Sequence, residues 1–148
     1  MSTPTSSDSI ALRDMWRALV RGSWQTLAVV PAEAGASAAA VGRVFSGLAD
    51  AAGAGRFELV AAEGASAGDG TRLATAFGAP TSPGVRRVAT VDPLVVSLSG
   101  IPLAMAADAV LLVVRLDAPE PASVQSTLGI LGAERVLGYV AVGAPRPA

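Results

Sequence analysis

Three stretches of this chain, Thr26–Val30 (TLAVV), Leu94–Leu98 (LVVSL) and Ala109–Arg115 (AVLLVVR), are apolar runs without every-second-residue alternation. A strand with one wet face alternates. A strand covered on both faces does not, and such strands belong to parallel sheets packed between helical layers. Helical stretches lie between these runs, and two further apolar runs complete the set. The fold class expected is therefore α/β: a doubly wound, mainly parallel five-stranded sheet with helices on both faces. Thr26–Val30, Leu94–Leu98 and Ala109–Arg115 are its expected interior strands.

Read along the chain, residues 1–8 form a polar tail, residues 9–143 a single domain and residues 144–148 a second tail. Ser9 can cap a helix from Ile10 to Arg21 whose Leu12, Met15, Trp16, Leu19 and Val20 recur at helical spacing, and Gly22 ends it. After the first strand, a turn from Pro31 to Gly35 leads into a helix from Ser37 to about Ala52. That helix buries Val41, Val44, Phe45 and Leu48 and stops at Gly53–Gly55. A second strand follows at Phe57–Ala62. Residues 63–90, rich in Gly, Ala, Ser and Pro, offer one short helix near Thr71–Phe77. Beyond the fourth strand, Pro121–Leu131 reads as a helix and VLGYVAV, 136–142, as the fifth strand.

Composition narrows the chemistry. The chain of 148 residues has no cysteine and no histidine, which excludes disulfides, thiolate and imidazole catalysis and nearly every zinc site. All eleven basic residues are arginine, and the net charge of −1 without a basic block argues against nucleic-acid binding. Although 51% of the residues are hydrophobic, no uncharged run reaches the roughly 18 residues that a membrane span needs. The opening MSTPTSSDS has neither the basic nor the apolar region of a secretory signal. The expected location is cytoplasmic, with peripheral attachment at the inner face of the cell membrane as a variant.

LAVVPAEAGASAAAV, residues 27–41, has the outline of a phosphate-binding loop: strand, tight turn, helix N-terminus. Free N–H groups and the helix dipole converge there. Gly35, Ala36 and Ser37 are the candidate nucleotide contacts, with Ser37 as an ordinary helix cap the competing role. A phosphate-binding loop also uses a lysine, and the sequence contains none. Glu33, which would repel a phosphate, reads as a solvated turn residue. Ser97 and Ser99 stand at the end of the expected third strand, where open α/β sheets bind ligands, or else tie down the strand end. Asp108 fixes the turn into the fourth strand, and Gly35 and Gly100 permit tight turns. In the first helix, Arg13, Arg17 and Arg21 lie at i, i+4 and i+8 beside Trp16. They form either a solvated face or a docking ridge for an acidic partner or anionic lipid.

Over residues 11–143 the chain resembles the cytoplasmic bacterial tyrosine kinases of capsule and exopolysaccharide synthesis, within the MinD/ParA-like deviant P-loop ATPases. Asp14, Arg17 and Val20 fall where that family has Glu-x-x-Arg-x-x-Arg in its first helix. Pro31, Ala32, Glu33, Ala34, Gly35, Ala36 and Ser37 overlay its Pro-Gly-Glu-Gly-Lys-Ser-Thr loop, or, shifted by one residue, Gly35-Ala36-Ser37 overlays Gly-Lys-Ser; neither register supplies a lysine. Ala61 and Glu63 take the places of its two second-strand aspartates. A pattern like Tyr-Asp-x-Val-Ile-Ile-Asp-Thr-Pro-Pro overlays residues 91–100, with Asp92 matching and Ser97 replacing the magnesium-organising aspartate. AADAVLLVVRLDAPEPASVQSTLGILGAERVLGYVAV then follows the family's final strand–helix–strand.

The resemblance implies a P-loop-NTPase-like scaffold whose chemistry has been lost. Phosphoryl transfer rests on lysine, metal and backbone donors, and the lysine and the aspartates are replaced. The only tyrosine, Tyr139, lies within a strand and not in a phosphorylatable tail. The expected function is a catalytically inactive pseudo-kinase or pseudo-ATPase that binds or regulates within exopolysaccharide or capsule biosynthesis, without cofactor. The alternative is a divergent ATPase or tyrosine-kinase-like switch that keeps weak ATP or ADP binding. The degenerate nucleotide set is Gly35, Ala36, Ser37 and Ser97; the interaction set is Arg13, Asp14, Trp16, Arg17 and Arg21. The partners implied are a membrane chain-length or co-polymerase protein, an active paralogous kinase, or a second copy of the chain.

Overall fold

The computed structural model describes residues 24–33, 38, 41–43, 47, 56–80, 84–115 and 120–142. Five strands form one sheet: β1 (Thr26–Pro31), β2 (Arg56–Ala61), β3 (Val85–Thr90), β4 (Ala109–Arg115) and β5 (Val136–Val142). Their order is β2-β3-β1-β4-β5 and every neighbouring pair is parallel. Three helices are described: α1 (Ala67–Phe77), α2 (Ile101–Ala106) and α3 (Pro121–Leu131). The expected five-stranded, mainly parallel α/β sheet is observed, and every pairing in it is parallel.

All six residues of β1 are buried, as are Ala109–Val113 of β4. One sheet face presents Ala28, Val30, Ala89, Val91, Val110 and Leu112 to Leu103 and Ala104 of α2 and to Phe77 and Leu131 at the ends of α1 and α3. The opposite face carries Leu27, Val29, Val88, Thr90, Leu111 and Val113, also buried. A helical turn at 41–43 lies over that second face, because a Cβ built on Gly42 would stand 2.7 Å from Thr90 Cγ2 and 3.1 Å from Leu59 Cδ1. Residues 37–40 and 44–52 of the expected helix lie outside the described set, apart from Ala38 and Gly47.

The third strand is corrected. Leu94–Leu98 is not a strand: N–H groups of Val96 and Ser97 both reach the Pro93 carbonyl at 3.0 Å, which closes a turn, and Leu98–Gly100 is a short 3₁₀ helix. The strand between β1 and β2 is Val85–Thr90, VRRVAT. Two adjacent arginines disguise it, and each has a use for its length. Arg86 stands over the Trp24 ring, 4.6 Å from its centroid. Arg87 donates from Nη1 to the carbonyls of Ala76, Phe77 and Ala79 at 2.9, 3.3 and 2.8 Å, and from Nε to Glu58 at 2.9 Å. A cation on the last carbonyls of α1 also complements the helix dipole. Arginine stems can cover apolar surface while their heads find partners elsewhere.

Glycines set how closely the layers approach. A Cβ on Gly70 of α1 would lie 2.3 Å from the Ser99 carbonyl oxygen, and one on Gly100 would lie 2.9 Å from Val91 Cβ. Gly100 has no turn to permit; it lets the 3₁₀ helix press against the end of β3. At the opposite end of the sheet, Asp108 accepts the N–H groups of Gln25 at 2.9 Å and Thr26 at 3.2 Å. Its own N–H donates to Thr26 Oγ1 at 2.9 Å, so Asp108 joins the starts of β1 and β4 as well as fixing the turn.

Candidate functional site at the carboxyl ends of β1, β2 and β3

Connections leave β1 and β3 on opposite faces. The path after β1 passes through the 41–43 turn on the second face, and the path after β3 passes through α2 on the first. Adjacent strands whose connections diverge in this way leave a crevice at their carboxyl ends, the place where open α/β sheets bind ligands. The described residues at that crevice are Ala32 and Glu33 after β1, Val91 and Asp92 after β3, and Ala62–Gly64 after β2.

Main-chain bonds hold these ends together. Ala32 N–H donates to the Val113 carbonyl at 2.9 Å, Ala62 N–H to Thr90 at 2.8 Å and Val91 N–H to Val29 at 3.3 Å. Two carboxylates then take up further N–H groups. Asp92 Oδ2 accepts from Gly64 N–H at 2.7 Å, tying the turn after β2 to the end of β3. Glu33 is 1% exposed, and its two oxygens accept from Arg115 N–H at 3.0 Å and Glu120 N–H at 2.9 Å. The expectation that Glu33 is a solvated turn residue is thereby overturned. The carboxylate satisfies two donors at the β4–α3 junction, and the Thr127 hydroxyl, 2.9 Å from Ser123 O and 3.3 Å from Ala32 O, reinforces the contact by sharing its proton between them.

Beside the crevice lies an open groove of about 490 Å³ lined by Ala61–Ala65, Asp69, Arg72 and Leu73. Ser66 caps α1 by accepting from Asp69 N–H at 3.2 Å, and Asp69 pairs with Arg72. Glu63 Oε1 is buried without a hydrogen-bond partner, the sole such side-chain atom among the described residues. No group of three or more acidic, cysteine or histidine residues among the described residues could hold a metal ion.

Of the nucleotide and interaction sets read from sequence, Ser97 lies within the described residues, as does its neighbour Ser99; Gly35, Ala36, Ser37, Arg13, Asp14, Trp16, Arg17 and Arg21 fall outside them. Ser97 does not end a strand. It opens the 3₁₀ helix, with its hydroxyl 2.9 Å from Ser99 Oγ and accepting from Ser99 N–H at 3.4 Å. Because β3 ends at Thr90, the polar side chain that follows the third strand is Asp92 and not Ser97. Sequence reading missed both Asp92 in this role and the Glu33 clasp. The Asp-Pro pair at 92–93 was the available signal, since proline cannot donate to a strand ladder and so marks the strand's end.

No family model matches the chain, and no curated protein matches it. No helix among the described residues is long and apolar enough to cross a membrane.

Proposed function

We propose that this protein is a non-catalytic binding module on a P-loop-NTPase-like scaffold, a pseudo-kinase or pseudo-ATPase that serves exopolysaccharide or capsule assembly through protein contacts. The observation that carries the reading is the use to which the crevice puts two of its three carboxylates. Glu33 and Asp92 both accept main-chain N–H groups, at 2.7 to 3.0 Å, and so act as ties between loops. The chain also has no lysine to reach a phosphate. Losing one preorganised donor of this kind typically costs about 10²–10³-fold in rate. The parallel sheet and its crevice between β1 and β3 are compatible with descent from a nucleotide-binding scaffold. The polysaccharide setting rests on the sequence resemblance, as do its partners: a membrane chain-length protein or an active paralogous kinase.

One observation favours a second reading, a divergent nucleotide switch. With β3 at Val85–Thr90, Ala89-Thr90-Val91-Asp92 takes the place of the family's strand-ending Val-Ile-Ile-Asp, so the aspartate that Ser97 was expected to replace has a counterpart in Asp92. Titration calorimetry separates the two. For the binding module, ATP with Mg²⁺ gives no saturable heat up to millimolar nucleotide. Micromolar binding that disappears in both Ser37→Ala and Asp92→Asn, with Ser97→Ala unaffected, establishes the switch and overturns the module.

A further inference from the structure

We draw no further inference here: the strongest candidate, the open groove beyond the carboxyl end of β2 lined by Glu63, Asp69 and Arg72, carries nothing, because Asp69 and Arg72 pair with each other, the unpartnered Glu63 Oε1 is buried away from solvent, and nothing in the structure shows what would fill it.

Discussion

The carboxylate of Glu33 accepts the N–H of Glu120 at 2.9 Å, bringing the turn after β1 against the first residue before α3, 87 positions later in the chain. Its other oxygen holds Arg115 N–H, so one side chain closes both ends of the β4–α3 connection. Removing it leaves two donors without their acceptor in a site that water scarcely reaches. Glu33→Ala is expected to destabilise the fold by on the order of 3 kcal/mol, and Glu33→Gln, which keeps one acceptor oxygen, by about half as much. Chemical denaturation of the three proteins checks this. Equal midpoints for Glu33→Ala and wild type would mean that the clasp contributes nothing.

Arg87 carries a comparable duty at the far end of α1. With 17% of its side chain exposed, it serves three carbonyls and Glu58 at once. Lysine is a point charge without the planar fork and can satisfy only part of this set. Arg87→Ala should cost about 1–3 kcal/mol and Arg87→Lys less. The loss should be local: hydrogen exchange at Gly78 and Ala79 should accelerate more than exchange in β1. Uniform acceleration throughout the sheet would contradict a capping role.

These two residues also mark where the sequence was legible. β4 at Ala109–Arg115, α3 at Pro121–Leu131 and β5 at 136–142 fall where the sequence reading put them. There, local preference and tertiary packing agree. β3 was hidden because its arginines are satisfied by partners on other elements, Trp24, Glu58 and the end of α1, which no periodicity reveals. Leu94–Leu98 looked like a strand because it is apolar, yet Val96 and Leu98 are exposed and a turn closes on Pro93. At the site, only the strand of the strand–turn–helix outline is seen, as β1, and the fate of Glu33 depended on donors more than 80 residues away. A buried carboxylate with main-chain partners and a solvated one look alike in sequence.

Close backbone approach at Gly70 yields a steric prediction. A methyl group there meets the Ser99 carbonyl, which is backbone and cannot swing aside. Alanine normally favours a helix over glycine by about 1 kcal/mol. At this position the clash should reverse the sign, so that Gly70→Ala lowers stability by about 1–3 kcal/mol. Gly68, two residues earlier on α1 with open space around its Cβ position, is the control. Gly68→Ala should leave the melting temperature unchanged or raise it. If both substitutions stabilise, α1 does not pack against the 3₁₀ helix as closely as described.

If the crevice is chemically inert, function has to be carried by a surface, and the amino-terminal segment supplies residues suited to one. Trp16 with Arg13, Arg17 and Arg21 combines the two residue types most enriched where binding energy concentrates. On the sequence reading of a solvated helix face, reversing Arg17 and Arg21 to glutamate should leave the circular dichroism spectrum and melting temperature nearly unchanged, because charges on such a face contribute about 0–1 kcal/mol each. The same reversal should abolish co-purification with a polysaccharide-assembly partner. A charge-reversed protein that captures the same partner at the same yield would show that this segment is not the docking surface.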